Sequence, residues 1–565
     1  MDLTDIIYSN DYINILIQNY VAQSERYQML FPESSALLTL NPQYSVLFLE
    51  RSLLPENLFG AVPFTGLPKL FTPLSTLSLE VSGIVQTQNL YGGGYTGKNV
   101  IFGFLDTGID YRHPAFLHAN GQSRILAVWD QTDRTGTPPA QFPYGSLYTK
   151  SDLDAALESG DPLSLVPVTD PDGHGTYVAG VAGTPDASAG FLGVAPEADF
   201  AVVKLKPAKQ NLKDFYLVSS NAPVFEEDDL LSAMHFLNET AAAEGKPLVL
   251  CLALGTNQGS HSGTLPVSLT LARYGNTPGV IPVCATGNEG NAAHHYYGSV
   301  SETYTPKNVE FLVSEGNRGF TLELWGQAPQ LFSVGFRSPG GETIPRIPVS
   351  LNQEQRITFV LERTVIYVNY EVVQATTGSQ LILIRMLDPT PGIWTLQVYR
   401  AFPSPPDFHI WLPITGFSTS DVTFLEPDPY TTLTTPSATV PVLSPSTYQA
   451  ANNSFSPESG RGFTRLGEIK PDFAAPGVSV TGPGPAGSYV SFSGSSASAA
   501  ITSGAAALFL QWGIQRTPAR YFTAQEVKNY LIRGADRTDT ITYPSREWGY
   551  GRLQLYQSFT SLMTN

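Results

Sequence analysis

Four short apolar runs constrain the fold of this chain more than any other feature of its sequence. Each run is apolar along nearly its whole length and is followed by a turn and a helical pattern; they cover residues 100–105, 200–205, 248–252 and 280–285. Strands that are apolar on both faces and alternate with helices are typical of a parallel sheet covered on both sides. The pattern therefore predicts a doubly wound α/β domain.

The sequence on either side of these runs has a different character. Residues 1–95 indicate a small α/β unit, with a helix over 6–21, a strand over 44–48 and an irregular stretch over 67–77. Between residues 301 and 446 the helical patterns disappear. Six strand-like runs separated by turn residues there predict an antiparallel sandwich or jelly roll; they cover 309–313, 319–324, 356–362, 365–373, 380–386 and 394–399.

The α/β pattern resumes at residue 447 and continues to residue 565. We therefore predict that an all-β module of roughly 140 residues, a usual size for one domain, interrupts a single α/β domain. The predicted segments are a prodomain with its linker, the first part of the α/β domain, the inserted module and the second part of the α/β domain; they cover 1–95, 96–300, 301–446 and 447–565.

Composition excludes several classes of protein. The chain has 565 residues, 42% of them apolar, and 32 basic against 49 acidic residues give a formal charge of −17. A strongly acidic chain without basic runs is a poor candidate for binding nucleic acid or a membrane surface, so neither partner is expected. Residues 1–20 contain three Asp and no Lys or Arg, and they lack the apolar stretch of a secretion signal. We therefore expect a protein retained inside the cell.

Two polar blocks lie where predicted strands and helices meet, the position at which open α/β sheets bind ligands. Asp106 ends the first apolar run in FGFLDTGI (102–109), and His174 stands between two glycines in DGHGTYVAGVAG (172–183). The absence of bulky neighbours would let His174 reach a nucleophile. Taken singly, Asp106 could equally be a cap or turn residue, and His174 a buried structural histidine.

Two further blocks contain candidates for acyl-transfer chemistry. Asn288 lies in a glycine-flanked turn, VCATGNEG (283–290), from which a side-chain amide can donate to a developing oxyanion. Ser496 opens an alanine-rich helix in FSGSSASAAITSGAAALF (492–509), near free backbone N–H groups and the positive end of the helix dipole. Alone, these blocks could be an ordinary turn and an N-cap.

Together the blocks are much more specific. Asp106, His174 and Ser496 occur in the order Asp–His–Ser, the order of subtilisin and not of chymotrypsin. With GVAP (193–196) and KPDFAAPG (470–477), the chain resembles the subtilases, subtilisin-like serine proteases. The resemblance implies a serine endopeptidase that works through an acyl-enzyme.

The same resemblance assigns roles to individual residues. Ser496 would be the nucleophile, His174 the general base, Asp106 its orienting carboxylate and Asn288 an oxyanion donor. The serine block reads GSSASAA where the family usually has Gly-Thr-Ser-Met-Ala-Ala-Pro, but no catalytic group is lost.

Substrate binding is also implied by the family. The strand of Ala253, Leu254 and Gly255 would pair with an extended substrate backbone, and Ala253 in place of the usual Ser leaves that main-chain pairing possible. The prodomain would act as an intramolecular chaperone and be cut from the rest of the chain between residues 67 and 86.

A narrower resemblance is to the Csp germination proteases of clostridia and their relatives. It depends on LGTNQGSHSG (254–263), NEGNAAHHYYG (288–298) and the predicted β insert. It implies a prodomain that can stay bound after self-cleavage, and activation of a protein zymogen in spore germination. A catalytically silent pseudoprotease that binds or signals is the alternative, although no triad residue is missing; a ligand-binding role for the β insert is a third hypothesis.

No metal or cofactor is expected. His294 and His295 are adjacent, which does not let both side chains converge well on one ion, so we predict structural or pocket-lining roles. The acidic residues at 170 and 172 and at 226–229 lack the spacing of a calcium loop and are predicted to be solvated surface. Cys251 and Cys284 are predicted to be buried free thiols.

Overall fold

A six-stranded sheet forms the centre of the protein. The computed structural model describes residues 3–19, 35–54, 58, 62–73, 82, 84–88, 94–350, 354–402, 406–516 and 520–561. Across the central sheet the strands are Val280–Cys284, Leu248–Leu252, Ile101–Asp106, Asp199–Lys204, Ile125–Asp130 and Ser146–Thr149. All neighbours are parallel except the last pair. The predicted parallel sheet is confirmed; the strands at 125–130 and 146–149 were not predicted.

Helices cover both faces of this sheet. Along the strand Ile101–Asp106, Phe102 and Phe104 pack into one apolar cluster, whereas Ile101 and Leu105 pack into another. Every residue of this strand is buried, as the continuous apolar run requires. The helices of the α/β domain are Lys150–Glu158, Pro162–Leu165, His174–Gly183, Gln210–Tyr216, Glu227–Ala243, Pro266–Gly275, Ser495–Arg516, Ala524–Arg533 and Leu555–Thr560.

The helix Ser495–Arg516 is the longest in the part of the chain that the structure describes. By length and composition it could cross a membrane, but 89% of its most apolar 18-residue stretch is buried inside the protein. It packs against the helix His174–Gly183 and the strand Phe473–Pro483. This helix therefore has the environment of a core helix. Phe473–Pro483 belongs to a four-stranded sheet with Pro445–Gln449, Ser454–Phe455 and Tyr489–Ser493.

The N-terminal unit contains a short helix, Leu3–Tyr8, and a three-stranded antiparallel sheet. Its strands, in spatial order, are Tyr12–Gln18, Tyr44–Glu50 and Ser35–Thr39. The helix predicted over 6–21 is therefore wrong beyond residue 8, and residues 20 and 21 lie outside the described residues. The β-branched residues Ile13, Ile15 and Ile17 recur at every second position, a strand period, and they pack into one cluster.

The part of the chain between the two segments of the α/β domain forms two antiparallel sheets that pack face to face. One has the strands His295–Ser299, Asp407–Trp411, Gly319–Gly326, Gln380–Leu387, Val365–Glu371 and Gln355–Thr358; the other has Thr343–Ile344, Phe332–Arg337, Gly392–Arg400, Lys307–Val313 and Val422–Phe424. Residues of both sheets share one apolar core. We call this unit the sandwich; a jelly-roll connectivity stays a prediction.

The acidic run at 226–229 is buried, which contradicts its prediction as solvated surface. Glu226, Asp228 and Asp229 are each 3% exposed or less, and the Lys206 ammonium lies 2.6 Å from an Asp229 oxygen. The Asn14 amide of the N-terminal unit donates to Glu226 at 2.8 Å and to Asp228 at 2.5 Å. Burial raises the pKa of Asp228 and of Asp229. The run turns inward because it meets cations and an amide that a sequence pattern does not reveal.

Candidate active site

Three of the predicted residues meet in one hydrogen-bonded chain. His174 Nδ1 lies 2.6 Å from Asp106 Oδ1, and His174 Nε2 lies 3.1 Å from Ser496 Oγ. The residues are 68 and 322 positions apart in sequence, and each is at most 8% exposed. The imidazole therefore bridges a buried carboxylate and a buried hydroxyl.

Local backbone geometry sets these distances. Asp106 ends the strand Ile101–Asp106, and its carboxylate accepts the N–H of Thr107 at 2.8 Å. His174 is the first residue of its helix, after Gly173 in the left-handed region (φ 74°). A Cβ on Gly175 would collide with the carbonyl oxygen of Gly108. Gly175 thus allows the helix of His174 to approach the Asp106 strand closely, whereas Gly173 makes room for Pro485.

Asp170 connects the loop after Asp106 to the helix of His174. The Asp170 carboxylate accepts the Thr107 hydroxyl at 2.7 Å, the Gly173 N–H at 3.1 Å, and the N–H and hydroxyl of Thr176 at 2.8 and 2.7 Å. Asp170 is 5% exposed, so its prediction as solvated surface is wrong. Its position four residues before His174 carried no signal for this role.

The serine side of the site is built at a helix N-terminus. Ser496 is the second residue of the helix Ser495–Arg516. The N–H of Ser495 donates to Asn288 Oδ1 at 3.0 Å, and the N–H of Gly287 donates to Ser495 Oγ at 3.0 Å. Asn288 accepts the hydrogen bond from Ser495 through Oδ1. The atom of its side chain that can donate a hydrogen bond is therefore Nδ2. Ser495 was not predicted to hold Asn288.

Of the predicted substrate-binding residues Ala253, Leu254 and Gly255, the last two pair with a strand from the N-terminal part of the chain. We call residues 69–73 the N-terminal segment. The strand Leu70–Pro73 lies between Phe225–Glu226 and Leu254–Gly255, antiparallel to both. Gly255 pairs with residue 72 and Leu254 with residue 73. The carbonyl oxygen of Ala253 is 3.4 Å from Ser496 Oγ. The irregular stretch predicted over 67–77 is therefore a strand over 70–73, and residues 74–77 lie outside the described residues.

Two further hydrogen bonds, one from a side chain and one from the backbone, also hold this segment. Gln258 accepts the N–H of Leu70 at 3.0 Å, and the N–H of Glu227 donates to the carbonyl oxygen of Lys69 at 2.9 Å. Gln258 belongs to the LGTNQGSHSG block (254–263), which stood out in the sequence only by its resemblance to a family and not for this contact. The segment thus has the extended, two-sided pairing by which a sheet edge binds a peptide.

A comparison with protein families agrees with this geometry. The model described as "Subtilase family" matches residues 97–551. The chain belongs to the subtilase family. The match begins after the N-terminal unit and spans the sandwich, the triad residues and the oxyanion candidate.

Known proteins similar to this subtilase include one solved structure of nearly equal extent. The CspB protease of Clostridium perfringens is 31% identical, with a TM-score of 0.75, over 86% of this chain and 98% of that one. The "Major intracellular serine protease" of Bacillus subtilis (strain 168) is 24% identical over 265 residues, 47% of this chain and 65% of that protein. The "Intracellular serine protease" of Paenibacillus polymyxa is 27% identical over 171 residues, 29% of this chain and 45% of that protein. The subtilase thus spans less than two thirds of these curated relatives.

His294 and His295 of this subtilase bind different partners. His294 Nδ1 lies 2.6 Å from Glu289 Oε2; burial alone would raise the pKa of Glu289, but His294 and two hydrogen-bond donors hold it lower. His295 bonds the carbonyl oxygen of Asp428 at 3.1 Å and the ring of His409 at 2.9 Å. The two imidazoles do not converge on one point, in agreement with the predicted structural roles.

Three imidazoles and one indole form a stack where the sandwich meets the α/β domain. Trp411 lies 4.0 Å from His261, 4.8 Å from His295 and 5.3 Å from His409, measured between ring centroids. Burial lowers the pKa of His261 and of His295 to about 4, and that of His409 well below its ordinary value. We call these four residues the histidine stack; its imidazoles are neutral near pH 7.

The two cysteines are buried and free, as predicted. They lie on neighbouring strands, where Cys251 pairs with Val283 and Leu252 with Cys284. Burial raises the pKa of Cys251 to about 12 and raises that of Cys284 further. Neither thiol is therefore ionised at neutral pH, and neither contributes a nucleophile.

Proposed function

We propose that this subtilase is a serine endopeptidase with Asp106, His174 and Ser496 as its triad. The observation that carries the proposal is the position of the His174 ring, bonded to Asp106 at 2.6 Å and to Ser496 at 3.1 Å. A general base must reach the proton that it removes, and both distances are within hydrogen-bond reach.

In the proposed mechanism, Ser496 Oγ attacks the scissile carbonyl while His174 Nε2 takes its proton. Asp106 keeps the imidazole in the tautomer with a proton on Nδ1 and stabilises the imidazolium that forms. His174 then gives the proton to the leaving amine. Water attacks the acyl-enzyme by the reverse path and releases the acid.

The oxyanion of each tetrahedral intermediate would be held by Asn288 Nδ2 and the backbone N–H of Ser496. Three features support this assignment: the contact of Ser495 with Asn288 Oδ1, the position of Ser496 in the first turn of its helix, and the positive dipole end located there. Removing one such donor typically lowers kcat about 10²- to 10³-fold.

We also propose that the protein cuts its own chain after residue 74, directly beyond the paired N-terminal segment. Residues 72 and 73 pair with Gly255 and Leu254, so an antiparallel register that continued unchanged would bring the next residue opposite Ala253. The carbonyl oxygen of Ala253 is 3.4 Å from Ser496 Oγ. In this assignment Phe71, which is completely buried, is the fourth residue before the bond. The N-terminal unit would then be a prodomain that serves as intramolecular chaperone.

The names of the similar proteins favour action on proteins inside a cell. Two curated relatives are named intracellular proteases, and the similar solved structure is a clostridial protease. The likeness to the Csp group makes activation of a protein zymogen in spore germination the physiological role that we propose.

Intact-mass spectrometry of the purified full chain tests the proposal. We expect the wild type to give two fragments, one ending at residue 74, whose masses sum to that of the full chain plus one water. Ser496→Ala should stay whole, whereas Ser151→Ala, at an exposed helical serine, should be cut like the wild type. A wild type that stays whole and is not labelled at Ser496 by a serine-directed phosphonate would refute the endopeptidase and support the pseudoprotease alternative.

A further inference from the structure

Lys69 is the residue directly before the strand Leu70–Pro73, and it lies in an enclosed position. It is the sixth residue before the proposed cleavage bond, and its side chain is completely buried. Its ammonium donates to the carbonyl oxygens of Phe64, at 2.7 Å, and of Leu67, and it lies 4.1 Å from the centre of the Phe64 ring. A fully buried lysine requires nearby negative charge or several acceptors, because desolvating an ammonium is costly.

One carboxylate beside Lys69 comes from the α/β domain. Glu227 begins the helix Glu227–Ala243 and is completely buried. Its Oε2 accepts the N–H of Lys69 at 3.3 Å, and its Oε1 accepts the N–H of Val267 at 3.0 Å. Burial raises the pKa of Glu227, and the Lys69 ammonium acts in the opposite direction.

Two further carboxylates come from the sandwich. Glu323 accepts the N–H of Gly259 at 2.9 Å and the indole N–H of Trp325 at 3.0 Å, and the Trp325 ring packs edge-on against Phe64 at 5.7 Å. Glu371, at the end of the strand Val365–Glu371, accepts the N–H of Phe64. Glu371 therefore contacts the turn whose Phe64 carbonyl accepts the Lys69 ammonium, and Glu323 is connected to that turn through Trp325.

The electrostatics of this site centre on Lys69. Burial raises the pKa of Glu323 and of Glu371 to about 7, and Lys69 opposes that shift in both. Within the described residues, one Glu371 oxygen and the Tyr216 hydroxyl are buried without a hydrogen-bond partner, and Tyr216 is within electrostatic range of Glu323. Burial lowers the pKa of Lys69. Glu227, Glu323 and Glu371 oppose that shift through space, without an ion pair within 4 Å among these described residues. Removing the lysine would therefore take away the cation nearest to these buried carboxylates.

We propose that Glu227, Glu323 and Glu371 form a binding site for the lysine or arginine of a substrate, six residues before the bond that is cut. This inference rests on the proposed endopeptidase function and adds a specificity to it. The sandwich then contributes directly to substrate choice, because two of the three carboxylates belong to it. A protein substrate that replaces the N-terminal segment would restore the charge balance with its own cation.

Peptide substrates test this site in trans with the self-cleaved wild-type protein. The reference peptide carries residues 69–78 of this chain; the others have Gln for Lys at the sixth position before the bond, or the Lys moved to the fifth position. We expect kcat/KM for the reference to exceed both by about tenfold or more, since adjacent strand residues face opposite sides. In Glu323→Gln the preference should fall below threefold, whereas Glu310→Gln, at an exposed glutamate of the sandwich, should keep it.

Self-cleavage tests the same site within one chain. This assay is needed if the cleaved N-terminal fragment stays bound and prevents the peptides from entering the site. Lys69→Arg should cut itself within threefold of the wild-type rate, and Lys69→Met about tenfold more slowly. Glu323→Gln should slow the wild type but have little further effect on Lys69→Met. Equal rates for Lys69→Met and wild type, or peptides cut equally with Lys and Gln, would overturn the site while leaving the endopeptidase intact. A wild type that neither cuts itself nor reacts with a phosphonate would instead refute the proposed function.

Discussion

Acidification should destabilise the junction between the sandwich and the α/β domain through the histidine stack. Near pH 7 the imidazoles of His261 and His295 are neutral and buried around Trp411, and their pKa values are held near 4 by burial. In the unfolded chain a histidine titrates near pH 6.5. Between pH 6.5 and 4 the unfolded chain therefore binds more protons than the folded protein, so the free energy of unfolding falls as the pH falls.

The size of this effect follows from the two pKa values. A shift of one pKa unit corresponds to about 1.4 kcal/mol, so lowering the pH from 8 to 5 costs about 2 kcal/mol for each of His261 and His295. The two together give about 4 kcal/mol, and His409, whose pKa is also lowered, adds in the same direction. The stack stops contributing a pH dependence only above about pH 7.5, where the histidines of the unfolded chain are also neutral.

Guanidinium unfolding followed by tryptophan fluorescence measures this loss, with Ser496→Ala as the background so that no proteolysis intervenes. The comparison variant is His295→Gln, which keeps a polar side chain but removes one titrating group. Its loss of stability between pH 8 and 5 should be smaller than that of the background by about 2 kcal/mol. Identical pH dependence in the two proteins would refute the argument, because every other titrating group is shared between them.

Two further substitutions probe the site and the N-terminal unit. Gly175→Ala should slow self-cleavage at least 10²-fold, because its Cβ would collide with the Gly108 carbonyl beside His174. The control is Gly160→Ala, where a Cβ meets no atom within 4 Å and self-cleavage should proceed normally. Equal rates for the two variants would contradict this prediction. Asn14→Leu removes the amide that bonds two buried carboxylates of the α/β domain. After self-cleavage its N-terminal fragment should dissociate at least tenfold faster in gel filtration, and wild-type retention would show that this contact does not hold the fragment.

The sequence predicted the parallel sheet and the proximity of Asp106, His174 and Ser496 for related reasons. Strands buried on both faces leave a continuous apolar run, and the carboxyl ends of such strands share one edge of the sheet. The strand at 125–130 was missed although it is equally buried at five of its six positions. Its five consecutive apolar residues, 125–129, are as long a run as the one at 248–252, so the sequence carried the signal and it was overlooked.

The parts that could not be predicted depend on contacts between distant segments. The run at 226–229 reads as a charged surface until the structure brings Asn14 and Lys206 to it, about 210 and 20 residues away. Leu70–Pro73 forms a strand because two strand edges enclose it; its Phe and Thr favour a strand, but the prolines at 68 and 73 made the stretch read as irregular. Asp170 accepts three of its four hydrogen bonds from residues within six positions, but only the fold brings the Thr107 hydroxyl to it, from 63 residues away.

The sandwich separates the two halves of the proposed oxyanion site along the chain. Asn288 lies before it and Ser495 after it, and the hydrogen bond between them closes a loop of 207 residues. Without the roughly 130 residues from His295 to Phe424 that loop would be less than half as long, yet loop-closure entropy changes only with the logarithm of length, by about 0.9 kcal/mol. The insertion is thus tolerated at equilibrium, while the search for this contact during folding becomes a long-range one and correspondingly slow.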